Sequence, residues 1–109
     1  MSLKIGDLGS SMLGAVKDSL ASDWPKVRDY GKAEFKKLAQ SLIDITKLAA
    51  DGKVTASQAR SLVRIHRNTT LMVMLTVEGM GIIAAEKAIN AALRAVKDAV
   101  NAVSPFNFL

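Results

Sequence analysis

Glu78 is the residue in this 109-residue chain whose setting asks most of its chemistry. It is the only charged side chain between residues 68 and 85, and it lies within 71–85, the most apolar run of the sequence. A carboxylate in such company has to be ion-paired, hydrogen-bonded or protonated, because an isolated buried charge costs several kcal/mol. Two readings follow. In one, Glu78 is a functional carboxylate with a raised pKa that orients a small apolar ligand or holds a proton. In the plainer one, it pairs with a Lys or Arg of another helix, or reaches solvent at a kink. The next acid, Glu86, is two helical turns away, so no carboxylate dyad is formed in sequence.

Arg60, Arg64 and Arg67 repeat at i, i+4 and i+7, and no acid separates Asp51 from Glu78. Such a stripe can hold phosphates of a nucleic acid or anionic lipid headgroups. Without interleaved aromatics or a recognition-helix signature, nucleic acid is the weaker of these. The bland alternative is a solvated face that pairs with acids of the first two helices. His66, the one histidine, has no second His or carboxylate three or four residues away, so its spacing supports neither a metal site nor a general base. Asp51-Gly52 imitates half of an EF-hand loop, but that alignment puts Lys47 and Ala49 at ligand positions and Gln58 where a bidentate Glu is needed. The segment reads as a turn. No cofactor is implied.

The elements that must position these groups are helical. Half the residues are hydrophobic, only 5% are aromatic and there is no Cys, which excludes a disulfide scaffold and a thiolate metal site and disfavours a β-sandwich. Leu8, Met12, Leu13, Val16 and Leu20 predict a first amphipathic helix over about 7–22, despite Gly9 and Gly14. A boundary falls near residue 23, where Asp23 can cap a second helix that has Pro25 in its first turn and runs to Ala50. Gly52 closes it, and Thr55 and Gln58 have the spacing of a capping box for the next.

From Ala56 to Val103 the pattern stays helical. An unbroken rod of that length would span roughly 70 Å, against about 26 Å for a domain of this size. The glycines at 79 and 81 therefore predict a break or tight kink, although one long kinked helix is the alternative.

The expected architecture is an all-α bundle of about four helices, with boundaries near 23, 52 and 80. It forms one domain over 1–109 with a short apolar tail, 104–109. The last helix carries a broad small-residue face that includes Ala84, Ala88, Ala92, Ala95 and Ala99, and the tail places Phe106 and Phe108 at the end. Those residues are candidates for an interface, with a second copy of the chain in a dimer or larger oligomer, or with another protein through the tail. Split at Asp51, the first part has 8 basic and 7 acidic residues, the second 7 and 3, so the net charge of +5 comes largely from the second part.

No metal-ligand, phosphate-loop or nucleophile motif appears, and no secretory signal follows Lys4. The reading is a non-enzymatic helical bundle of the cytoplasm that acts by self-association or protein–protein contact. The alternative is membrane association, with the arginine stripe on headgroups and 71–85 in the acyl region. An apolar-ligand binder around Glu78 ranks below both.

Overall fold

Apolar side chains recur every three to four residues along four stretches of the chain, and each of these is a helix in the computed structural model, which describes residues 3–27 and 29–109. The helices are α1 (Ile5–Leu20), α2 (Asp29–Ala50), α3 (Ala56–Thr76) and α4 (Ile82–Val103), with no strand among the described residues. Leu8, Met12, Val16 and Leu20 form the buried stripe of α1. On α2 the stripe runs from Gly31 through Phe35, Leu38, Leu42 and Ile45 to Ala49. Ala85, Ala88, Ile89, Ala92, Val96 and Val100 bury α4. These side chains meet in one core, in which α1 packs chiefly along α4 and α2 along α3. Alanines at the centre of α4 let the helices approach closely, so the core is filled by Met, Leu, Ile and Val with Phe35 as its largest buried side chain.

The breaks have local causes. At the end of α2, Gly52 takes φ +70°, and the amides of Gly52 and Lys53 return to the carbonyls of Ala49 and Leu48, the paired bonds of a Schellman turn. Thr55 and Gln58 then form the reciprocal cap expected from their spacing, with bonds of 3.1 and 2.9 Å. Between α3 and α4 the chain is truly broken: Gly79 adopts φ +67°, and Gly81 is the extended residue before α4. The one-long-helix alternative is thereby removed.

The first boundary departs from expectation. Residues Ala21–Lys26 form a short 3₁₀ turn, and Pro25 lies inside it rather than in the first turn of α2. Asp23 does not cap α2; it pairs with Lys26 at 3.2 Å, within the turn. Val27 is extended (ψ 120°) and buried, and α2 starts only at Asp29.

α3 buries least. Only Ala59, Val63, Thr70 and Met74 are buried on it. Across 71–85, the most apolar run of the sequence, Met74 and Ala85 alone are buried, while Met72, Val77, Ile82 and Ile83 are exposed. No helix among the described residues is long and apolar enough to cross a membrane.

Candidate interaction surface

Glu78 follows the last turn of α3 and is half-buried. Its Oε1 accepts a hydrogen bond from the backbone N–H of Gly31 at 2.8 Å. Gly31 is the third residue of α2, so that N–H is among the four that a helix leaves without an internal partner. Glu78 therefore supplies α2 with a cap from 47 positions away, and its charge sits at the end of the helix where a carboxylate is favoured. Glycine at 31 is what admits it: a Cβ there would lie 2.7 Å from Oε1 and 3.0 Å from Cδ of Glu78. A backbone N–H as partner is neither the Lys or Arg nor the solvent of the plainer expectation, and it holds the carboxylate as a hydrogen-bond acceptor. A cleft of about 200 Å³ adjoins it, lined by Leu20, Val27, Met80 and Ala84 together with Asp23 and Lys26.

Glu34, the one fully buried carboxylate among the described residues, was not singled out by sequence, although it falls in register with Gly31 and Leu38 on the apolar stripe of α2. Its Oε1 accepts from Lys37 Nζ at 2.9 Å, and this bond holds the Lys37 ammonium above its usual pKa. His66 Nδ1 stands 3.2 Å from Ser41 Oγ, a link from α3 to α2. No three of the described His, Asp or Glu side chains gather where a metal ion could be held.

The three arginines share one edge of α3, the edge toward α4. Arg67 donates to Asn90 Oδ1 at 3.0 Å, and Arg60 to the carbonyl of Asn107 at 3.4 Å. Both acceptors are neutral, and the ion pairs among the described residues, Asp23–Lys26 and Glu34–Lys37, involve no arginine. The acids of the first two helices are thus not the partners of this stripe.

Of the alanines, Ala88 and Ala92 are fully buried within the chain, Ala84 is half-buried, and Ala95 and Ala99 are exposed. The tail is fastened down. Asn101 Oδ1 accepts from the amides of Phe108 and Leu109 at 3.1 and 3.2 Å, and its Nδ2 donates to the Leu109 carbonyl. Phe108 is 4% exposed and meets the half-buried Phe106 edge to face at 6.4 Å.

No protein-family model matches this chain, and neither a curated protein nor a solved structure matches it.

The largest feature missed in the sequence is the outer face of α3. Ile65, Thr69, Met72 and Thr76 recur at i, i+4, i+7 and i+11, and all are exposed, Ile65 at 59% and Met72 at 57%. Thr69 and Thr76 donate their hydroxyls to the carbonyls of Ile65 and Met72 at 3.1 and 2.6 Å, which spends their donors within the helix. What faces out is a row of methyl and thioether groups about 17 Å long at 1.5 Å per residue. A second exposed group, Val77, Ile82 and Ile83, marks the corner between α3 and α4. The spacing of 65, 69, 72 and 76 is visible in sequence, but the same pattern describes a buried stripe, and only the packing of the opposite face separates the two.

Proposed function

We propose that this chain is a non-enzymatic helical-bundle protein that works by docking onto protein, either a second copy or another chain, through the outer face of α3. The observation that carries the proposal is that exposed row of Ile65 and Met72 between Thr methyls. Ile65 and Met72 keep more than half of their surface in water, and burying the remainder would supply on the order of 1 kcal/mol each; an exposed apolar row along one helix face marks a contact surface. The candidate chemical groups support the same reading, since Glu78 caps α2 and His66 lies against Ser41. The test places a photo-activated crosslinking residue at Met72, and in a parallel sample at the exposed Lys17 of α1, in cells that make the protein. Discrete protein adducts from position 72 and none from 17 are expected. Equal yields, or none from 72, overturn the proposal.

One observation favours a second reading, contact with a membrane surface. Ile82 and Ile83 are exposed side by side at the start of α4, with Lys87 lining the same shallow depression. Shallow insertion of that corner predicts sedimentation with anionic vesicles that is lost in Ile82→Ser/Ile83→Ser.

A further inference from the structure

We infer that the occupant of the α3 face is an acidic amphipathic helix: a segment of another protein with a narrow apolar seam and carboxylates along its margin. The inference rests on the docking role proposed above and adds what the partner must be.

The width of the face comes first. With about 100° per residue, Ser61, Ile65, Asn68, Thr69, Met72 and Thr76 fall within roughly 100° of arc, the width of a helix–helix seam. The seam contains no aromatic residue and no charge. Asn68 is exposed midway along the length of the seam, at the margin beside Arg64, where its amide can fix the register of a partner.

The borders differ in kind. On one side the seam passes into His66 and Ser41, at the contact of α3 with α2. On the other side Arg64 borders the seam, with Arg60 and Arg67 behind it, turned toward the tail and α4. Their charges are not neutralised by ion pairs among the described residues, and two of them are steadied by Asn90 and Asn107. α3 itself has no Asp or Glu from Ala56 to Thr76. A two-fold antiparallel pairing of α3 with another copy would set the arginine edge of one against the arginine edge of the other, like charge on like. A helix with Glu along that margin instead meets Arg64, backed by the positive charge of Arg60 and Arg67, which gives orientation and a fast encounter. A lipid surface fits less well. Interfacial helices bury a broad apolar face rich in Trp, Phe or Leu, with cations spread over the polar side, whereas this seam is narrow and its cations line one edge.

The experiment uses the full chain and two synthetic helices of about 18 residues. Both carry Leu along the seam; one has Glu and the other Lys at the flanking positions. Binding is read by fluorescence anisotropy, alongside light scattering of the chain alone and flotation with phosphatidylserine vesicles. The Glu helix is expected to bind and the Lys helix not. Met72→Ser on the seam and Arg64→Glu on the edge are each expected to weaken binding about tenfold. Arg64→Glu should at the same time gain measurable affinity for the Lys helix. Arg64 makes no side-chain hydrogen bond among the described residues, and circular dichroism confirms that each variant is folded. Binding of the Glu helix that ignores Met72→Ser overturns the inference, because it reports diffuse charge attraction only. A dimer that reverts to monomer in Met72→Ser, with no binding of the Glu helix, also overturns it and leaves the docking proposal standing. Vesicle binding through Met72 without helix binding overturns both.

Discussion

A single hydrogen bond between Glu78 and Gly31 reverses the ordinary meaning of a Gly→Ala change. In the interior of a helix, Ala is better than Gly by about 1 kcal/mol. At position 31 the new Cβ would fall 2.7 Å from Glu78 Oε1, so the carboxylate would have to leave and the cap would go with it. Gly31→Ala is therefore expected to destabilise the native protein by about 1–2 kcal/mol, a typical value for a lost cap. In an Glu78→Ala background the clash is gone, and the same change should be neutral or stabilising. Urea unfolding of the four proteins of this cycle measures the coupling, and additive effects would remove the cap from the account. The opposite substitution is informative at Ala21. This residue ends α1 at φ 49° and ψ −115°, a conformation costly for any residue with a Cβ. Ala21→Gly is expected to stabilise by roughly 1 kcal/mol. Gly79→Ala, at φ +67°, should destabilise by a similar amount, while Gly81→Ala, at φ −66° with open space around it, should be close to neutral. Thermal melts of the three variants give the order directly.

At the scale of elements, the tail behaves as an extension of α4 because Asn101 gives its side-chain amide entirely to Phe108 and Leu109. Asn101→Ala removes three hydrogen bonds and the seating of the Phe108 ring, and is expected to cost about 1–3 kcal/mol. Faster hydrogen exchange confined to the amides of Phe108 and Leu109 would show that the tail alone is released; unchanged exchange there would contradict the anchoring role. The same elements show which parts of the fold can be read from sequence. Helix ends signalled within a few residues were legible: Gly52, the Thr55–Gln58 box, and the glycines before α4. The start of α2 was not. Asp23 and Pro25 carry the same signature whether they open an α-helix or sit in a 3₁₀ turn, and the choice is made by burial of Val27, a tertiary event. Glu78 was legible as a residue needing a partner, because its neighbours are apolar. Its partner was not, because a backbone N–H 47 positions away leaves no mark in side-chain pattern. The alanines of α4 were legible as a close-packing face: Ala88 and Ala92 are buried inside the chain, while Ala95 and Ala99 stay exposed; the exposed row on α3 was not legible, because its spacing also describes a buried stripe.

Over the whole molecule, apolar content and core are not the same set of residues. The run 71–85 is the most apolar part of the chain, but most of its large side chains are exposed or half-buried, while the core is drawn from all four helices. Exposed side chains that keep more than half of their surface in water in the folded state contribute less to folding. Ile65→Ser, Met72→Ser and Ile83→Ser, at 59%, 57% and 69% exposure, are each expected to change unfolding free energy by no more than about 0.5 kcal/mol. Met74→Ala, two residues from Met72 but 1% exposed, is expected to cost about 2–5 kcal/mol. The triple serine variant should therefore keep its melting temperature close to that of the parent and bind markedly less of a hydrophobic dye such as ANS. Cooperative loss of stability in the triple variant would mean that these side chains belong to a core, and the docking role of α3 would lose its basis. Unchanged stability with lower dye binding would show that these apolar side chains are dispensable to the fold, as the proposed docking role requires.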